Sequence, residues 1–229
     1  MGIFYFFKRL LLCCTLVFFS GCASLSNNSE NQAKTLIKDS SKVFAQFYKH
    51  RDLKEFRRYL NSAHAIIILP KVIKASFIYG GEGGSGLLLK RINVKDWSHP
   101  TFVTLGAASV GFQAGVQETA IVLIIKTEPA LRAVLDHQGK LGADTGATIG
   151  IWGVGMEAST TTNFDADILA FSNPNIGAYF GISLEGAVIA RRKDLNESFY
   201  GKGATPKKIL SGYYEKTEVR RLKEAISGR

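Results

Sequence analysis

From Ala65 onward the chain is a succession of short runs rich in β-branched and aromatic residues. They read "AIIIL", "SFIYG", "SGLLLKR", "TFVTLGAASVGFQAGV", "TAIVLIIK", "TGATIGIWGVG", "ADILAFS" and "GAYFGISLEGAVIARR", and Gly, Asn, Asp or Pro separates them. Runs of this length and composition are strands, not helices. Glycines also recur inside the runs, at Gly106, Gly111 and Gly115 and again at Gly146, Gly150, Gly153 and Gly155. In a strand such glycines permit bulges, sharp coiling and close packing. The pattern predicts an α+β fold: a strongly bent antiparallel sheet or a partly closed barrel, covered by helices. A glycine-zipper membrane insert uses similar spacings. Against it, charged residues flank the runs, and none after the first 21 residues approaches the length of a membrane span.

The densest glycine cluster, "GGEGGSG" at residues 80–86, contains Gly81-x-Gly83-x-x-Gly86. That is the spacing of a dinucleotide-binding loop, which must follow a strand and open a helix. Here "LLLKRINV" follows with no capping residue, and Pro100 breaks any helix soon afterwards. The cluster is therefore expected to be a turn or bulge between two strands rather than a phosphate cradle.

Helical periodicity is found in the two flanks and once between the strand runs. Residues 32–48 place Leu36, Val43, Phe44, Phe47 and Tyr48 on one face and Lys34, Lys38, Lys42 and Lys49 on the other. Such a helix can dock on a core or lie on a membrane surface, and docking is the commoner use. Shorter helices are expected at residues 53–60, 129–136 and 216–226.

The first 21 residues have the form of an export signal. Lys8 and Arg9 precede ten apolar residues, 10–19, and the segment ends "FSGC" at Cys22. This is too short to span a membrane and resembles a lipobox, in which small residues precede a cysteine that becomes acylated. All three cysteines, Cys13, Cys14 and Cys22, lie in this region, so the rest of the chain has neither thiol nor disulfide. The expected organisation is a lipoprotein signal at 1–21, a polar tether at 22–32 and a single domain at 33–229. Ala23 and Ser24 lack the aspartate of an inner-membrane retention signal. The expected location is therefore the periplasmic face of a bacterial envelope, at the outer membrane.

The net charge of +10 is unevenly spread. Residues 30–60 hold eight basic and four acidic side chains, residues 61–190 eight and ten, and residues 191–229 eleven and five. Basic ends on a tethered protein point to an anionic surface.

Catalytic constellations are lacking in the sequence. His50, His64, His99 and His137 are isolated, with no metal-ligand spacing. Asp165 and Asp167 lack a calcium loop. Ser109 has no nucleophile elbow, and Glu185 and Asp144 read as structural carboxylates. No enzyme, metal, cofactor or nucleic-acid function is expected.

Seven ordered motifs resemble the SYLF domain family: "LPKVIKASF" (69–77), "GGSG" (83–86), "WSHPTF" (97–102), "ASVGFQAG" (108–115), "LGAD" (141–144), "GAYFGISLEGAVI" (177–189) and "NESFYG" (196–201). The resemblance covers about residues 33–210. It implies non-catalytic binding of anionic phospholipid by an N-terminal amphipathic helix and a basic patch. Phosphoinositides are the best-known targets of eukaryotic relatives, and phosphatidylglycerol, cardiolipin or lipopolysaccharide are the anions of a bacterial envelope. The residues so implied are Lys34, Lys38 and Lys42 on the helix, Lys71 and Lys74, and the run Arg191, Arg192 and Lys193, with Lys207 and Lys208 as weaker additions. The actin binding of yeast relatives does not transfer to an exported protein. A scaffolding role, with the same surface taking protein partners, is the alternative.

Overall fold

The computed structural model describes residues 24–76, 79–110, 115–136, 148–152, 166–172, 184 and 186–228. Helices α1 (Ser24–Lys49) and α2 (Lys54–Ser62) lead into strands β1 (Ala65–Ser76), β2 (Tyr79–Asn93), β3 (Asp96–Trp97), β4 (Thr101–Val110) and β5 (Gly115–Ile125). Then come α3 (Glu128–Asp136), β6 (Ile149–Trp152), β7 (Ile168–Ser172) and β8 (Val188–Arg191). The chain closes with α4 (Lys193–Tyr200), α5 (Pro206–Leu210), a 3-10 turn (Thr217–Val219) and α6 (Arg220–Ile226).

The strands form one strongly curled sheet, a half-barrel, in the order β6-β7-β5-β1-β2-β4-β8, with β3 paired to β2. The α+β half-barrel agrees with the reading of the sequence. Its ladders are antiparallel except for β6 and β7, which run parallel. That pairing has no local signal, because it depends on a long connection rather than a hairpin.

The central runs are apolar without alternation because both faces of the sheet are covered. Ile66, Ile68, Leu87, Leu89, Val122 and Ile124 face the helical layer of α1, α2, α4 and α6. Ile67, Leu69, Leu88, Leu123 and Ile125 face the opposite way, against Ala130, Leu131 and Val134 of α3 and Leu210 of α5. Two-sided burial gives continuous hydrophobic strands where one-sided burial would give alternation. Every residue of both cores lies between Ala33 and Ile226, so residues 24–229 contain the whole described fold.

Helix α1 begins at Ser24, inside the segment expected as a tether. Its buried line is Ala33, Ile37, Ser40, Phe44 and Phe47, the spacing of one helical face. Phe56 of α2 meets Phe44 and Phe47 at 5.7 Å each and Phe171 of β7 edge-on at 5.3 Å, fastening α1 and α2 to the sheet. Helices α4 and α5 were not anticipated from periodicity. Each is short and has few apolar residues to mark it. Leu195, Phe199 and Tyr200 of α4 are buried, with Phe199 edge-on to Phe102 at 5.6 Å.

The glycine-rich stretch is neither a turn nor a helix start. It lies inside β2, paired with β1 on one side and β4 on the other. The irregularity is across the ladder, in β1, where Pro70 has no N–H to give. The register there shifts between Leu69 and Val72 against β5 and between Ile68 and Ile73 against β2. The bulge presses β1 backbone onto β2. A Cβ at Gly84 would collide with the Lys71 carbonyl oxygen, and one at Gly86 with the Ile68 carbonyl oxygen and, at 2.7 Å, with Leu69 Cδ2. At Gly84 and Gly86 the neighbouring strand comes too close for a side chain.

Candidate functional site

The docking of α1 decides which of its surfaces is available. Its apolar face is used up by the core, since Ala33, Phe44 and Phe47 are fully buried. Lys34, Lys38 and Lys42 remain on the outer side, all exposed, at four-residue spacing. Lys34 pairs with Glu30 at 2.7 Å, a contact that raises the lysine's pKa and lowers the glutamate's. Lys42 lies 3.8 Å from Asp39, and Lys38 has no ion pair with a described residue. Solvent-exposed pairs of this kind contribute little to stability, so a phosphate can replace the carboxylate at small cost.

Beside this stripe runs a groove of about 690 Å³ between α1 and the sheet. Thr35, Asp39, Lys42 and Gln46 form its helical wall, and Gly83, Gly84 and Ser85 of the glycine-rich strand its floor. The Pro70 bulge turns Lys71 into it, where Lys71 meets Glu118 of β5 at 2.5 Å. The absence of side chains at Gly83 and Gly84 leaves the floor open. Two cations, Lys42 and Lys71, face two acids, Asp39 and Glu118, so the groove is self-neutralised. The excess positive charge lies on the outer stripe.

The remaining predicted residues do not all join this surface. Lys74 is in register with Glu82 and lies on the face of β1 opposite to Ile73, which lines the groove. Arg191 ends β8 opposite Val103, on the side of the second core, and is exposed. Arg192 is a clamp. Its guanidinium grips Asp194 through two bonds of 2.9 and 2.7 Å, donates to Ser85 Oγ at 2.7 Å and reaches Gln32 Oε1 at 3.4 Å. It thus ties β2, α4 and α1 together, and the Asp194 bond raises its pKa. Lys193, exposed on α4, stands 4.0 Å from Glu197. Lys207 and Lys208 are exposed on α5. The run 191–193 therefore splits into an outward cation on each side of an inward clamp. Cys22 lies outside the described residues, as do Asp144, Asp165, Glu185 and His137.

Asp167 accepts from Thr127 Oγ1 at 3.3 Å and from Thr148 N and Oγ1 at 3.2 Å each, a structural role joining β7 to α3 and β6. Among the described residues no group of three or more His, Cys, Asp or Glu is placed to hold a metal ion.

Two features escaped the sequence reading. Glu82 is 5% exposed, and neither carboxylate oxygen has a hydrogen-bond partner among the described residues. Burial pushes its pKa up, and Lys74 opposes that only in part. It stood in a glycine cluster, where a charged residue reads as exposed. The other is a pair of exposed apolar residues, Ile92 and Val94, in a segment read only as the end of a strand.

The signature motifs are joints. Asn196, 1% exposed, accepts from Phe102 N at 2.9 Å and Thr101 Oγ1 at 3.1 Å, and donates to Phe102 O at 3.1 Å and Arg192 O at 2.9 Å. Tyr200 donates its hydroxyl to Pro100 O at 2.7 Å, and Ser98 Oγ accepts from Lys90 N at 2.9 Å. "NESFYG" and "WSHPTF" thus interlock.

Comparison with known proteins accords with these joints. Residues 106–229, more than half the chain, match the model of the Ysc84 family, described as Las17-binding protein actin regulator. The chain belongs to the Ysc84/SYLF family. Protein YSC84 of Saccharomyces cerevisiae is 29% identical over 195 residues, which is 82% of this chain and 42% of that protein. LAS seventeen-binding protein 3 of the same yeast is 28% identical over 196 residues, with the same shares. SH3 domain-containing YSC84-like protein 1 of Xenopus laevis is 31% identical over 158 residues, 68% of this chain and 47% of that protein. The chain thus spans less than half the length of these relatives, one of which, LAS seventeen-binding protein 3, is named for what it binds.

Proposed function

We propose that this chain is a non-catalytic binding protein that holds anionic phospholipid at a membrane surface. In this reading an acylated Cys22 tethers it to the periplasmic face of a bacterial outer membrane, and the domain meets lipid through its cationic surface. The observation that carries the reading is the stripe of Lys34, Lys38 and Lys42, displayed outward from a helix whose apolar face is locked into the core. A helix held this way contacts headgroups by charge and does not insert. Each lysine near an anionic surface contributes about 1 kcal/mol. The excess of basic over acidic side chains after the signal acts in the same direction. One acyl chain alone gives marginal membrane binding, and a basic surface is the usual second signal.

The names of the relatives favour a second reading, in which this surface takes a protein partner. Co-sedimentation of residues 24–229 with neutral and anionic vesicles separates the two. The expected result is binding to anionic vesicles alone, weakening as salt rises. Absence of binding to either vesicle at low salt overturns the lipid reading and leaves the partner reading.

A further inference from the structure

Helix α1 cannot supply apolar contact to a bilayer, yet the molecule displays such contact elsewhere. Strands β2 and β3 are joined by a two-residue turn, Val94 and Lys95, flanked by the pair Asn93 and Asp96. Val94 is 83% exposed and Ile92 54%. Aliphatic side chains at a hairpin tip usually signal a loose loop, but this turn is held rigidly. The Arg91 guanidinium donates to Val94 O at 3.0 Å, to Ala63 O at 2.7 Å and to Leu60 O, and lies 4.3 Å over the buried Trp97 ring. Lys95 N donates to Asn93 Oδ1 at 3.0 Å. The two apolar side chains are therefore presented at little further entropic cost.

Behind the turn lies a depression of about 920 Å³, separate from the groove under α1. Lys95, Lys216, Arg220 and Lys223 line it, against Asp96, Glu215 and Glu224. Lys223 pairs with Asp96 at 2.9 Å, and Arg220 with Glu224 at 3.7 Å. Lys216 sits 5.2 Å over the Phe199 ring, and Lys95 has no ion pair with a described residue. His99 at the back accepts the Lys216 backbone N–H at 3.1 Å, fixing the C-terminal segment that forms the far wall. An apolar tip in front of a cation-lined hollow matches the cross-section of a membrane interface, with acyl chains below and charged headgroups above.

We propose that the turn at residues 92–95 inserts into an anionic membrane interface while the hollow behind it receives the lipid headgroup. This rests on the lipid-binding reading and assigns it a second, apolar contact. A lysine stripe alone attracts the protein, whereas the hairpin gives it depth and orientation.

The absence of cysteine after Cys22 makes the test direct. Residues 24–229 carrying Val94→Cys are labelled with an environment-sensitive dye and mixed with phosphatidylcholine vesicles or with phosphatidylcholine–phosphatidylglycerol vesicles. Co-sedimentation is read on the same samples. Val116→Cys, at a site 75% exposed on β5, is the control. A blue shift and intensity rise at position 94 with the anionic vesicles alone, and none at 116, is the expected result. The double variant Ile92→Ser/Val94→Ser, altered only at the surface, is expected to keep its melting temperature and bind anionic vesicles roughly tenfold more weakly. Vesicle binding with a silent label at 94, or an unaffected double variant, overturns the proposal and leaves the lipid reading intact. No sedimentation at all overturns both. A shift at 94 that grows with protein concentration in the absence of vesicles overturns the proposal in favour of a second copy covering the turn.

Discussion

Glu82 on strand β2 and Asn196 on helix α4 are both buried polar residues, and they behave oppositely. Asn196 has all its principal donors and acceptors met, linking β4 to α4. Asn196→Ala leaves the Phe102 N–H and carbonyl and the Thr101 hydroxyl without these bonds, and a buried unsatisfied group costs about 1–3 kcal/mol. A drop of that order in urea-derived stability is expected, with unfolding still cooperative. Glu82 has no hydrogen-bond partner to lose among the described residues. Its folded-state pKa is raised above the ordinary 4.5 by burial, so the native state holds its proton more tightly than the unfolded chain does. The sign follows: no penalty exists well below pH 4.5, and destabilisation develops as pH rises through the unfolded value toward the folded one. Glu82→Gln removes the titration. It is expected to be more stable than the parent by about 1 kcal/mol at pH 8, with the gain shrinking toward pH 4. Equal gains at both pH values, measured by urea titration, would show that the carboxyl does not titrate from a buried site.

At the level of elements, the glycine-rich strand shows what the sequence could and could not reveal. The strand runs were legible because composition and length dictate them, and the α1 face because apolar residues recur at helical spacing. The half-barrel was legible from glycines inside strands. The role of Gly84 and Gly86 was not, because it depends on Pro70 in the neighbouring strand pushing backbone toward them. Likewise the run 191–193 reads as one basic patch, but a strand end followed by a helix start sends successive side chains in different directions. Arg192 is therefore drawn inward to Asp194 and Ser85. Helix α4 was hidden because its buried apolar residues are only Leu195, Phe199 and Tyr200, too few for a periodic signal, and the hydrogen bonds of Asn196 that also fix it leave no pattern in the sequence. The packing ranks the glycines. Gly86→Ala and Gly84→Ala meet β1 backbone and are expected to cost about 1–3 kcal/mol or more. Gly83→Ala comes 3.3 Å from Leu105 O and is expected to cost less, and Gly106→Ala, with nothing within 4 Å, almost nothing. Thermal melts of the four variants give the order, and equal effects would remove the close-approach explanation.

For the whole molecule, the distribution of charge predicts how binding responds to sequence and salt. The cations of the groove, Lys42 and Lys71, are balanced by Asp39 and Glu118, and Arg192 is occupied with Asp194. The stripe on α1 lies outside these balances on its Lys38 side. Charge reversal of Lys34, Lys38 and Lys42 to Glu changes the local charge by six units on a solvated helix face, without touching the buried line of α1. Its effect on the fold is therefore small, and its effect on an anionic surface large. At about 1 kcal/mol per basic residue near such a surface, even neutralising the three removes roughly 3 kcal/mol, more than a hundredfold in affinity at low salt. The same triple change is expected to do much less at high salt, where charges beyond about 3 Å are screened. Reversal of Arg192 should act differently. Arg192→Glu opposes Asp194 and frees Ser85, so it is expected to lower the melting temperature at any salt concentration. Vesicle co-sedimentation and melting curves on the same two variants separate a surface that attracts lipid from a clamp that holds the domain together. If the lysine triple lowers stability and leaves vesicle binding unchanged, α1 contributes to the fold alone.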